Sequence, residues 1–160
     1  MPTTEKAVQT ILVLNGPNLN LLGTREPAVY GSTTLADLEA MCRQAGRDAG
    51  VNIDFVQSNH EGALIDAIHA AGRAYKDGTL IGVVFNPGAY THTSIALHDA
   101  IKAVEVPVIE LHVSNVHARE AFRNHSYISP AAAGIIVGLG TDGYLLGIDA
   151  LVRRTRTRKK

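Results

Sequence analysis

Leu80-Ile81-Gly82-Val83-Val84-Phe85 is a nearly unbroken apolar run that stops abruptly at Asn86-Pro87-Gly88. A strand with one wet face alternates apolar and polar residues, whereas a strand covered on both faces does not, and burial of that kind belongs to parallel sheets. Downstream, Ile95, Leu97, Ile101 and Val104 recur at helical spacing, and Pro107 then opens a further strand, Val108 to Val113. The order is strand, helix, strand, as a parallel crossover requires.

The same alternation continues in both directions. Towards the N-terminus, the run Thr10 to Leu14 ends at Asn15-Gly16-Pro17-Asn18, which holds too many turn formers to continue a strand. Leu19 to Ser32 contains Gly23, Pro27 and Gly31 without periodicity and exceeds an ordinary strand-to-helix connection, so it reads as a functional lid. Thr34 and Asp37 form a candidate cap for a helix carrying Leu35, Leu38, Met41, Cys42 and Ala45, with Gly50 as its stop. Val51 to Gln57 alternates as a strand. Ser58 and Glu61 sit at capping-box spacing ahead of a second helix with Leu64, Ile65, Ile68 and Ala71. Towards the C-terminus, Ser114 to Tyr127 reads as a short helix and loop, Ile135 to Val137 as a fifth strand and Tyr144 to Val152 as a closing helix. Five such strands predict a doubly wound α/β domain with a flavodoxin-like sheet of order 2-1-3-4-5, whose ligand crevice lies beyond the carboxyl ends of the strands.

Composition sets the broad class. The 160 residues are 46% hydrophobic and suit one domain with a substantial core. Residues 1–9 read as an N-terminal extension, 10–152 as the α/β domain and 153–160 as a basic tail. That tail holds six of the fifteen basic residues, so the remainder of the chain carries a formal charge of −6 although the whole is neutral. Without interleaved aromatics the tail reads as a solvated end rather than a nucleic-acid contact. Cys42, the single cysteine, falls on an apolar helix face and reads as a buried structural thiol, which fits a reducing compartment. No apolar stretch approaches a membrane span, and a cytoplasmic location is expected.

The strand exits are unusually polar: Asn15 and Asn18 after the first strand, Asn86 after the third, and Glu110, His112 and Ser114 at the fourth. The two-residue period of a strand puts Glu110 and His112 on one face, where a carboxylate can orient an imidazole for acid/base work. A strand-end histidine satisfying backbone groups explains His112 alone at least as well; the neighbouring polar groups favour chemistry.

These residues lie within stretches that resemble type II 3-dehydroquinate dehydratase. They run Asn15-Gly16-Pro17-Asn18-Leu19-Asn20-Leu21-Leu22-Gly23 through Arg25-Glu26-Pro27 and Tyr30-Gly31, then Asn86-Pro87-Gly88-Ala89-Tyr90-Thr91-His92-Thr93-Ser94. Glu110-Leu111-His112-Val113-Ser114-Asn115-Val116-His117-Ala118-Arg119-Glu120 follows, continuing to Ser126, and Gly138 to Gly147 resembles the closing segment of the family. The resemblance covers roughly residues 10 to 152, in four blocks in the same order. It implies trans-elimination of water from 3-dehydroquinate through an enolate, without a cofactor. It assigns Tyr30 as a tyrosinate base stabilised by Arg25, His112 as proton donor with Glu110 as its orienting carboxylate, and Asn18 as the residue positioning a water. Asn86, His92, Val113, Ser114 and Arg123 match substrate-binding positions, as does Asp99, which in the family reaches a neighbouring subunit and implies a trimer-based dodecamer.

The chemistry suits those residue types. A free phenol with pKa about 10 is only about 0.1% ionised at neutral pH, and a desolvated cation beside it favours the anion. On spacing alone Arg25 and Tyr30 also fit an exposed arginine and a packed tyrosine, Asn18 a turn former and Asp99 a solvated helix residue. A lysine Schiff base is disfavoured because none of the five lysines, Lys6, Lys76, Lys102, Lys159 and Lys160, falls among these positions. Gly138-Leu139-Gly140-Thr141-Asp142-Gly143 satisfies a GxGxxG pattern, but it follows the last strand with no further unit to complete a dinucleotide site, so close strand-to-helix packing is its expected role. A flavin or nucleotide module, a non-catalytic anion-binding protein and a metal site are the weaker alternatives, and neither nucleic acid nor membrane is expected as a partner.

Overall fold

The computed structural model describes residues 6–24 and 27–157, with Val29 and Tyr30 described through their backbone only. Five parallel strands form one sheet in the order β2-β1-β3-β4-β5, with β1 at Thr10–Asn15, β2 at Asn52–Gln57, β3 at Leu80–Asn86, β4 at Val108–His112 and β5 at Gly134–Val137. The helices are α1 (Pro27–Tyr30), α2 (Leu35–Ala49), α3 (Glu61–Lys76), α4 (Ile95–Lys102) and α5 (Asp142–Thr157). The expected doubly wound architecture and strand order are those observed. Every residue of β3 is buried, as its unbroken apolar run requires.

Two cores sandwich the sheet. Ile11, Val13, Val84 and Leu111 pack against α2 and α5 through Leu38, Cys42, Ile148 and Leu151. On the opposite face, Leu14, Val83, Phe85 and Val108 meet α3 and α4 through Leu64, Ile68, Leu97 and Ile101. Along β4 the period-two alternation sends Leu111 to the α5 side, so Glu110 and His112 face the α4 side. Asn15 and Asn86 are direct partners in the β1–β3 register, at the carboxyl ends of both strands.

The helix termini follow local rules with one exception. Thr34 and Asp37 form a reciprocal capping box at the start of α2, and Gly50 ends it in the left-handed conformation at φ 74°. At α3 the expected Ser58–Glu61 box does not form. The N-cap is His60, and Ser58 Oγ instead accepts the His60 N–H at 3.0 Å, two residues on, which closes a turn before the helix begins. α5 continues to Thr157, five residues past Val152, with an Arg153–Asp149 ion pair one helical turn apart. Gly143 of the GxGxxG pattern has the packing role expected of it: an added Cβ would lie 3.2 Å from Leu111 Cδ1 and 3.3 Å from Ile136 Cγ2. Among the described residues, no helix is long and apolar enough to cross a membrane.

Candidate active site

At the carboxyl ends of β1, β3 and β4 lies a cavity lined by Asn18, Asn86, His92, His112, Val113, Ser114 and Arg123. Seven of the expected site residues thus converge on one space. Glu110 sits beneath it, buried, and reaches the cavity through His112. Asp99 is exposed on α4 and does not line this cavity. Arg25 and the Tyr30 side chain lie outside the described residues; the Tyr30 backbone belongs to α1.

His112 Nε2 lies 3.0 Å from Glu110 Oε1. With the carboxylate accepting from Nε2–H, Nδ1 is left for a ligand, so the strand alone sets the tautomer. Three hydroxyls hold the carboxylate from the other side. Thr91 Oγ1 and Ser126 Oγ donate to Oε1 at 2.5 and 2.6 Å, and Ser129 Oγ donates to Oε2. Ser126 Oγ also accepts the N–H groups of Ile128 and Ser129, so its single proton is directed away from them, to the side where Glu110 Oε1 lies at 2.6 Å and Thr91 Oγ1 at 2.7 Å. Burial alone would raise the Glu110 pKa, but the bonds from His112, Ser126, Ser129 and Thr91 outweigh it and bring the value down to about 2. Glu110 is therefore a buried carboxylate held ionised beside an imidazole.

The cavity wall supplies further polar groups. His92 Nδ1 donates to the His125 carbonyl at 2.7 Å, which leaves Nε2 as an acceptor. Burial lowers its pKa, as do the nearby His112 and Arg123, despite the opposing bond to His125. The His92 and His112 rings are nearly parallel, 17° apart in plane, with centroids 6.5 Å apart. Arg123 Nε donates to Glu120 at 2.7 Å, and Arg119 bonds Ser114 Oγ at 3.3 Å, so two guanidinium groups border the space. Asn18 has a left-handed backbone, φ 67°, and its N–H donates to Asn59 Oδ1 at 2.9 Å. That amide oxygen also accepts from Gln57, while the Asn59 carbonyl accepts the Tyr90 hydroxyl. The strand-one exit loop is thereby tied to the loop after β2.

Sequence reasoning omitted Thr91, Ser126, Ser129, Asn59 and Arg119 from the site. Thr91, Ser126 and Arg119 stand in the matching stretches, but only the fold shows what their side chains reach. Nothing in the periodicity marks Ser129 or Asn59.

Two guanidinium groups, side-chain amides and an imidazole backed by a buried carboxylate gather at the strand exits, where doubly wound α/β enzymes hold their ligands. Comparison with known proteins gives the family. The family model described as Dehydroquinase class II matches residues 9–152, and the chain belongs to that family. A 3-dehydroquinate dehydratase from Marinomonas sp. is 70% identical over 149 residues, 93% of this chain and 99% of the relative. A catabolic 3-dehydroquinase from Pyricularia oryzae is 57% identical, covering 93% of each chain. The crystal structure of a type II dehydroquinase from Propionibacterium acnes matches with a TM-score of 0.85 at 43% identity, covering 93% of this chain and 99% of the other.

Proposed function

We propose that the protein converts 3-dehydroquinate to 3-dehydroshikimate, with residues 10–152 as the catalytic unit. The observation that carries this reading is the ionised Glu110 bonded to His112 at the floor of a cavity that also holds Asn86, His92 and Arg123. In the proposed mechanism Tyr30, as tyrosinate, removes the proton α to the ketone, and Arg25 stabilises the phenolate. Asn18 positions a water that donates to the enolate oxygen as charge develops there. His112, carrying a second proton, then gives it to the departing hydroxyl, and Glu110 balances the imidazolium charge. Arg123, with the Val113 and Ser114 backbone, receives the substrate carboxylate, while Asn86 and His92 receive its hydroxyls.

Asp99, exposed on α4, is proposed to complete a neighbouring subunit's site, which calls for a trimeric unit and suits a dodecamer. A cytoplasmic location fits a protein whose single cysteine is a buried free thiol. Relatives named as a dehydratase and as a catabolic dehydroquinase perform the same chemical step, so both biosynthesis and quinate breakdown are compatible with this site.

The test is an ultraviolet assay of the purified protein with 3-dehydroquinate, following the conjugated enone acid. Turnover that survives chelator and borohydride treatment supports proton transfer by side chains. Loss of activity on borohydride treatment in the presence of substrate would overturn the reading in favour of a Schiff base.

A further inference from the structure

The chemistry above leaves the hydroxyl of Tyr144 unused. Tyr144, fully buried on α5, lies over the strand-end pair Asn15 and Asn86. Its hydroxyl donates to Asn15 Oδ1 at 2.7 Å and accepts from Asn86 Nδ2 at 2.8 Å. The chain reaches the main chain at both ends: Asn15 Nδ2 donates to the Val56 carbonyl at 3.2 Å, and the Gly88 N–H donates to Asn86 Oδ1 at 3.1 Å.

These end groups have fixed polarity. A carbonyl only accepts and a main-chain N–H only donates. The Val56 carbonyl therefore turns the Asn15 amide nitrogen towards itself and its oxygen towards Tyr144. The phenol must donate to that oxygen, which leaves its lone pair for Asn86 Nδ2, and Asn86 must turn its own oxygen to Gly88. All four bonds run in one direction and select one orientation of the Asn86 amide. The single phenol oxygen both donates and accepts to join the two amides, while its ring packs in the apolar core beside α5. Burial also pushes the Tyr144 phenol well above its ordinary pKa, so it remains a hydroxyl and is no second tyrosinate.

Asn86 lines the cavity, and after these bonds it retains one Nδ2 proton. We propose that Tyr144 is a positioning residue that determines specificity: it locks Asn86 with a hydrogen-bond donor turned to the substrate, to meet an acceptor oxygen such as a hydroxyl. The inference rests on the reading of Asn86 as a substrate contact.

The test is a double-mutant cycle of Tyr144→Phe and Asn86→Ala, with kcat and KM for 3-dehydroquinate measured in each variant. Tyr144→Phe is expected to raise KM about tenfold with a smaller change in kcat. Added to Asn86→Ala, it should change KM less than about twofold, because the donor it orients is already gone. An equal KM increase in both backgrounds would show that the phenol acts through packing and overturn the proposal. An unchanged KM in Tyr144→Phe, with a raised KM in Asn86→Ala, would sink the proposal and spare the substrate reading. An unchanged KM in Asn86→Ala would remove both. If Tyr144→Phe does not fold, Asn15→Leu interrupts the same chain from a residue outside the cavity lining; a parallel rise in KM supports the proposal, and a wild-type KM overturns it.

Discussion

Glu110 and His112 are two residues apart on β4, and their side chains meet at 3.0 Å, so one stretch of backbone both presents the imidazole and orients it. Neither residue depends on a mobile loop for this geometry. The loop residues Ser126 and Ser129 act on the far side of the carboxylate, where they supply protons it can only accept. The pair is consequently a buried carboxylate–imidazole couple at the end of a strand, placed as the proposed mechanism requires.

Replacing the carboxylate by an amide should disable that couple. In Glu110→Gln, the new amide N–H groups would face hydroxyls that already donate, and the negative charge balancing His112 is lost. We expect kcat to fall about 100-fold, within the range usual for general acid–base assistance, with a smaller effect on KM. Steady-state kinetics with a kcat within threefold of wild type would refute the assigned role.

The same carboxylate should make the fold sensitive to acid. Its folded pKa of about 2 lies below the ordinary 4.5, so its stabilisation is fully present above about pH 4.5 and is lost as pH falls from there through about 2. The shift corresponds to roughly 3 kcal/mol. Urea unfolding at fixed protein concentration from pH 6 to pH 3 should show a stability slope in wild type that is markedly shallower in Glu110→Gln. Identical slopes would mean that Glu110 is not held ionised.

Removing the imidazole should separate the two proton transfers. His112→Ala is expected to lower kcat by 10²- to 10⁴-fold, since the hydroxyl then leaves without an acid. Abstraction of the α-proton does not need His112 and should remain visible as deuterium wash-in to recovered substrate. A variant that turns over like wild type would show that another group donates the proton.

Cys42 offers a check on the packing of α2. Burial pushes its thiol up to about 12, a larger effect than the neighbouring Arg43 and Glu39 charges, and the side chain is fully enclosed. A thiol-specific reagent at pH 8 should therefore leave the native protein unmodified and label one cysteine after denaturation. Rapid native labelling would show that this face of the sheet opens.

What sequence reveals here is what periodicity and backbone chemistry control. Unbroken apolar β3, the Thr34–Asp37 box and the shared face of Glu110 and His112 all follow from local geometry, and the structure carries each of them. The hydroxyls around Glu110 were hidden because Thr91 lies far in sequence from the Ser126–Ser129 turn, and only the fold brings the two together at the carboxylate. Tyr144 was hidden for another reason: on a helix it reads as an apolar core residue, and only the β1–β3 register brings two amides beneath its hydroxyl. Ser58 misled because spacing alone cannot distinguish a cap from a turn two residues earlier. The arginines after Val152 read as a solvated tail, yet an ion pair at helical spacing accompanies the continuation of α5.

The most direct measurement of the central claim is turnover of 3-dehydroquinate by Tyr30→Phe, which removes the proposed base and nothing else. A loss of 10²- to 10⁴-fold or more in kcat, with retained fold and substrate binding, is the result the mechanism requires. A kcat within tenfold of wild type would contradict it, because a phenyl ring can accept no proton.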